Sequence, residues 1–88
     1  MENNSNIRST YVRTISSYEE FVNDIMTKME TERPKEWRKG QFVFNYIEMV
    51  YGEVAREVQF VDRVDCFYRD DVIEDFTKCV WKRLTENQ

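Results

Sequence analysis

The fold is predicted first of all from the run Phe42-Val43-Phe44-Asn45-Tyr46-Ile47-Glu48-Met49-Val50-Tyr51, in which only two of ten residues are strongly polar. When residues are plotted at about 100° per step, its apolar side chains cover about 240° of a helix circumference. An amphipathic surface helix has a narrower apolar stripe, so this helix must be covered on most of its sides. We predict that residues 36–51 form either the central helix of a small bundle or a helix that also lies in a subunit interface.

An amphipathic helix is predicted on the N-terminal side of this stretch. Ser17 followed by Glu20 matches a capping box, in which each side chain binds a free backbone N–H of the first turn. Apolar residues then recur at helical spacing, which predicts a helix over residues 17–31. Pro34 disfavours helical geometry at the residue before it and therefore separates this helix from the next.

Two more helices are predicted on the C-terminal side. Gly52 is placed to end the central helix, because glycine is favoured just past a helix C-terminus. Helical spacing predicts a short helix near 53–60, and Asp70 or Asp71 is expected to cap a last helix over 70–84. The predicted fold class is all-α, with a three-helix core of residues 17–31, 36–51 and 70–84 and a short extra helix near 53–60.

Length and composition limit the domain organisation. Eighty-eight residues with 41% hydrophobic content suffice for one small core. We expect residues 17–88 to form a single helical domain and the Asn-, Ser- and Thr-rich residues 1–16 to form a loose, flexible tail. Neither a membrane span nor a signal peptide is recognisable, so a cytoplasmic location is expected. The two cysteines, Cys66 and Cys79, are too few for a disulfide framework and are interpreted as free thiols.

Three polar side chains share one stripe of the central helix, namely Arg38, Gln41 and Asn45. Gly40 lies beside them, and a glycine within a helix costs about 1 kcal/mol relative to alanine. A close approach of another backbone segment would explain it. The expected partner is the loop 64–68, whose Asp65 offers a carboxylate to Arg38. We interpret the stripe and Asp65 as a polar constellation that either holds this loop in place or forms a ligand or partner site, and plain solvation is the third alternative.

The same segments carry a resemblance to known proteins. Residues 38–45 read R-x-G-Q-x-x-F-N and residues 65–70 read D-x-F-Y-x-D. This pair of motifs resembles a pattern in small uncharacterised bacterial and phage-encoded helical proteins, and the likeness covers about residues 33–84. Cys66 stands where that pattern has proline. The resemblance implies a compact helical fold and a bacterial or phage origin, but no activity.

Several aromatic residues are candidate anchors for a partner, because Trp and Tyr are enriched at binding hot spots. Trp81 lies about 60° outside the apolar arc of the last helix and is expected to be the most exposed of them. Packing in the core or at its edge is the alternative. The candidate interface aromatics are Trp37, Tyr51, Tyr68 and Trp81.

The sequence offers little for catalysis. It has no histidine, nucleophile motif, metal-ligand spacing or glycine-rich phosphate loop, so we predict that it is not an enzyme and uses no cofactor or metal. The preferred hypothesis is a protein–protein interaction module, such as an adaptor, regulator or inhibitor. Its protein partner is unknown, and homodimerisation is a corollary.

Nucleic-acid binding is the alternative function. The net charge of −4 disfavours it, but residues 28–39 carry five basic and three acidic residues. Within that segment, the candidate basic patch consists of Arg33, Lys35, Arg38 and Lys39. Residues 40–76, in contrast, carry three basic and nine acidic residues, which motivates a weaker variant in which an acidic surface mimics nucleic acid.

Overall fold

The computed structural model of the protein describes residues 17–86 and confirms the all-α prediction. Four helices and one 3-10 turn follow one another as α1 (Tyr18–Glu32), α2 (Lys39–Tyr51), α3 (Val54–Phe60), the 3-10 turn (Asp70–Val72) and α4 (Ile73–Glu86). No strand occurs in this part of the chain. The tail predicted for residues 1–16 lies outside the described residues.

Helix α1 begins and ends within one residue of the predicted bounds 17–31. The Ser17 hydroxyl accepts a hydrogen bond from the backbone N–H of Glu20 at 3.1 Å. At the other end, Arg33 has extended backbone angles (φ −70°, ψ 125°). This is the geometry that Pro34 imposes on the residue before it.

Helix α2 begins at Lys39 rather than at residue 36, and this corrects the predicted boundary. Residues 34–37 form a turn instead, in which the Trp37 N–H donates to the Pro34 carbonyl at 3.1 Å. The Arg33 guanidinium donates to the Trp37 carbonyl at 2.7 Å. These two hydrogen bonds hold the turn in place, and the helix therefore begins only after it.

Asp70 is one of the two residues predicted to cap the last helix. This prediction is wrong for Asp70, which instead binds the first turn of α2. Its carboxylate accepts a hydrogen bond from the Gly40 N–H in the first turn of α2 at 2.9 Å. A negative charge at this position also interacts favourably with the helix dipole. Helix α4 is entered through the 3-10 turn, and Asp71 forms an exposed ion pair with Arg69 at 2.7 Å.

Helix α2 is the central helix, which settles the first alternative raised by its sequence. It lies against α1, α3 and the 3-10 turn, while α4 packs on α1 and α3. Most of its wide apolar arc is covered within one chain, and Met49, which is 74% exposed, is the exception. The buried side chains on α2 are Phe42, Val43, Phe44, Tyr46, Ile47 and Tyr51.

Aromatic rings join the helices in the core. Phe21 of α1 is fully buried, and its ring centroid lies 5.5 Å from Tyr51 of α2 and 5.2 Å from Trp81 of α4. Phe44 of α2 lies 5.6 Å from Phe76 of α4. The orientation of the three main helices therefore depends on a few large side chains.

Arg63 is the non-glycine residue with a positive φ in the described chain, at 63°. The left-handed conformation costs an L-residue about 1–2 kcal/mol. Glycine avoids this cost, but part of the gain is offset because glycine increases the conformational entropy of the unfolded chain. We expect Arg63→Gly to raise the free energy of unfolding by about 0.5–1 kcal/mol, measured by urea denaturation. Arg63→Ala is the control, because it removes the side chain but keeps the strained Cβ. An equal gain in both variants would contradict this explanation.

Candidate functional site

The structure does not assemble the predicted polar constellation around Asp65. Both of its carboxylate oxygens are used by its own neighbourhood, one by the Gln59 side chain and one by the Phe67 N–H, each at 2.9 Å. Arg38 is exposed at the start of α2, where its backbone N–H donates to the Gln41 side chain at 3.4 Å. The expected Arg38–Asp65 ion pair is therefore wrong.

The close backbone approach predicted at Gly40 is confirmed, and the loop 64–68 makes it. A Cβ built on Gly40 would lie 1.9 Å from the carbonyl oxygen of Cys66. The Cys66 thiol donates to the Gly40 carbonyl at 3.3 Å, and burial raises the pKa of this thiol to about 12. Cys66 is thus a protonated donor at neutral pH, and this contact is structural.

The candidate interface aromatics have different surroundings. Tyr51 is only 2% exposed and is a core residue, so its interpretation as an anchor is wrong. Trp81 is half-buried against Phe21 of α1 and is not the most exposed of the four. That position belongs to Tyr68, which is 71% exposed, while Trp37 is half-buried.

The basic patch loses one of its four members to the fold. Arg33 is half-buried and bound to the Trp37 carbonyl. Lys35, Arg38 and Lys39 are exposed. Three exposed cations on an acidic protein form only a small positively charged surface for binding nucleic acid.

The acidic segment 40–76 does not present a uniform negative surface. Arg83 binds Asp62 through two hydrogen bonds of 2.9 Å and thereby lowers the pKa of that carboxyl group. Further ion pairs are Glu48–Arg56, Asp71–Arg69 and Glu74–Lys78. Such pairing disfavours the mimicry of nucleic acid.

A groove of about 230 Å³ brings Trp37 and Asn45 together with residues that sequence reasoning missed. It lies between the end of α1, the turn 34–37 and one face of α2, and we call it the Trp37 groove. Its lining residues are Glu32, Pro34, Trp37, Phe42, Asn45, Tyr46 and Met49. The spacing of Phe42, Tyr46 and Met49, at i, i+4 and i+7, places them on one helix face.

The floor of the Trp37 groove is aromatic and well held. The rings of Phe42 and Tyr46 are parallel within 9°, with centroids 5.8 Å apart. The Tyr46 hydroxyl donates to the Asp24 carboxylate of α1 at 2.8 Å. Burial, together with this hydrogen bond, raises the pKa of Tyr46, so the hydroxyl stays protonated and keeps α1 and α2 in register.

Met49 gives the groove an exposed apolar edge. Its side chain is 74% exposed, the largest exposure among the big hydrophobic residues described. The other exposed large hydrophobic residues, Phe60, Val61 and Tyr68, do not line this groove. Met49 is therefore the natural position at which to test the groove without disturbing the core.

Other concave surfaces have a different character. One between α1 and α4 measures about 510 Å³, and its lining residues are Tyr18, Val22, Met26, Met29, Lys39, Ile73, Glu74 and Thr77. Another is lined by charged side chains and Cys79, and there Arg83 already binds Asp62. The Trp37 groove combines three aromatic rings with a carboxylate.

Within residues 17–86, no three or more Cys, Asp or Glu side chains are grouped so that they could hold a metal ion. None of the helices described is long and apolar enough to cross a membrane. Comparisons of the chain with models of known protein families, with curated proteins and with solved structures found no match.

Proposed function

We propose that the protein is a small non-enzymatic protein–protein interaction module and that the Trp37 groove binds its partner. The observation that carries this proposal is an open aromatic groove with Met49 exposed at its edge. Tryptophan, tyrosine and methionine are enriched in interface cores. Methionine also adapts its shape to a partner better than branched side chains do.

The size of the groove favours a protein partner over a small-molecule substrate. Pockets for small molecules usually measure roughly 300–1,000 Å³, and the Trp37 groove has about 230 Å³. Such a volume suits one or two side chains of a partner segment. Its aromatic floor supplies no nucleophile, and Asp24 behind it already binds Tyr46.

Nucleic-acid binding is the second candidate, supported by the exposure of Lys35, Arg38 and Lys39. It is weaker because Arg33 is bound in the turn and the net charge is −4. Phosphate contacts make affinity rise steeply as salt is removed. A titration with DNA and RNA at low salt that shows no binding would eliminate this candidate.

The interaction module is tested by comparing two charge substitutions at similarly exposed apolar sites. Met49→Lys alters the Trp37 groove, and Phe60→Lys, at a residue 68% exposed and outside the groove, is the matched control. We expect proteins captured from a lysate of the producing cell to bind wild type and Phe60→Lys alike. Met49→Lys should weaken that binding at least about tenfold, as expected of a hot-spot residue.

Both variants should keep the circular dichroism spectrum of the wild type, since neither residue is in the core. Equal capture by all three proteins, or a loss with Phe60→Lys alone, would contradict the groove assignment. Sedimentation of the same variants tests homodimerisation. A dimer that Met49→Lys dissociates would identify a second copy as the partner.

A further inference from the structure

We infer that the Trp37 groove receives an arginine side chain of the partner, with its aliphatic stem on the aromatic floor and its guanidinium towards Glu32. This inference rests on the proposed function and specifies the chemistry of the partner. It depends on the composition of the groove, its charge and its polar groups.

Aromatic rings supply the first argument. Trp37, Phe42 and Tyr46 line one groove of about 230 Å³, so an occupant of this volume lies against at least one ring face or edge. A cation within about 6 Å of an aromatic centroid is attracted by the ring quadrupole, and arginine makes such contacts more often than lysine. The planar guanidinium also stacks on aromatic faces.

Negative charge supplies the second argument. Glu32 lines the groove, and its present partner is Lys28 at 3.5 Å, in a pair whose side chains are 41% and 55% exposed. An exposed i,i+4 pair of this kind contributes little to stability, so an incoming cation can replace it. Asp24 adds a second carboxylate behind Tyr46.

The nearby cations of the chain do not occupy the groove. Lys28 is directed to Glu32, and Arg33 donates to the Trp37 carbonyl. Lys35 is exposed on the turn. None of the three is among the lining residues, and the charged residue that lines the groove is Glu32.

The polar groups of the groove decide among the possible occupants. A carboxylate would be repelled by Glu32, and a purely apolar side chain would make no polar contact with Glu32 or with the Asn45 amide. A guanidinium carries five N–H donors and no acceptor. It can donate to the Glu32 carboxylate and to the Asn45 amide oxygen while its stem covers the rings.

The test compares two short capped peptides that differ only in the terminal functional group of one side chain. One contains a single arginine, and the other contains citrulline, which has the same shape but no charge. Both are titrated into the full chain and followed by NMR at the Trp37 indole N–H and the Met49 methyl group. We expect saturable shifts at both positions and about three- to tenfold weaker binding of the citrulline peptide, the range of one cation–π or charge-assisted contact.

Two variants make the result specific. Glu32→Gln should weaken binding of the arginine peptide about three- to tenfold and leave the citrulline peptide unchanged. Glu30→Gln, an exposed position on α1 outside the groove, is the matched control and should change neither.

Equal binding of the two peptides, unchanged binding by Glu32→Gln, or no shift at the groove would each overturn the arginine assignment. The proposed function fails separately, on the comparison of Met49→Lys with Phe60→Lys. A partner lost with Met49→Lys, together with equal binding of both peptides, would keep the interaction module and discard the arginine.

Discussion

Replacing Gly40 by alanine is expected to destabilise the protein by about 3 kcal/mol or more, the upper range for overpacking. The added Cβ would lie 1.9 Å from the carbonyl oxygen of Cys66 and 3.1 Å from that of Arg69. Both atoms are backbone, so the clash is relieved only by moving the loop away from α2. The bonds from the Gly40 N–H to Asp70 and from the Cys66 thiol to the Gly40 carbonyl would be strained together.

The sign of this effect makes the test decisive. Helix propensity alone predicts that Gly40→Ala stabilises α2 by about 1 kcal/mol. Urea denaturation followed by circular dichroism measures the free energy of unfolding. Lys39→Ala, at the exposed neighbouring position, is the control and should stay within about 0.5 kcal/mol of the wild type. A Gly40→Ala variant as stable as the wild type would show that the loop has another place to lie.

The helices could be predicted from the sequence because their signals are local. The Ser17 cap, the restriction before Pro34 and the Gly52 stop each involve neighbours along the chain. The start of α2 could not be predicted in the same way. It depends on Asp70, which binds the Gly40 N–H across thirty residues, and on the side chain of Arg33 within the turn.

The polar constellation shows how a correct contact was assigned to the wrong side chains. The glycine signalled that the loop comes close to α2, and the structure confirms the loop. The sequence could not show that Asp65 would be occupied by Gln59 and Phe67, six and two residues away. Because both carboxylate oxygens of Asp65 already accept hydrogen bonds from these near neighbours, Asp65 does not require an ion pair with Arg38.

The Trp37 groove could be predicted only in part. Trp37 and Asn45 were candidates, but one as an aromatic anchor and the other as part of a polar stripe. Their meeting depends on how the end of α1 and its turn lie across α2, which places Glu32 and Pro34 near Met49. A helical wheel holds no information about a neighbouring helix, which also explains the wrong expectation for Trp81.

Replacing Phe21 by alanine is expected to reduce the free energy of unfolding by about 3–5 kcal/mol, the range for a fully buried phenylalanine. Phe21 is the ring on α1 that contacts both Tyr51 of α2 and Trp81 of α4. Its removal leaves a cavity where three helices meet, and large neighbouring rings relax poorly into such a space. A domain of this size has little stability to lose, so the variant should be close to unfolded at room temperature.

Denaturation in urea measures the loss from Phe21→Ala, and the indole N–H resonance of Trp81 reports on the site itself. Val22→Ala, at the half-buried neighbour on α1, is the control and should cost about 1 kcal/mol. We expect the Trp81 signal to shift or broaden in the Phe21 variant alone. A loss below about 2 kcal/mol, with the Trp81 signal unchanged, would mean that the three helices are held by contacts other than this ring.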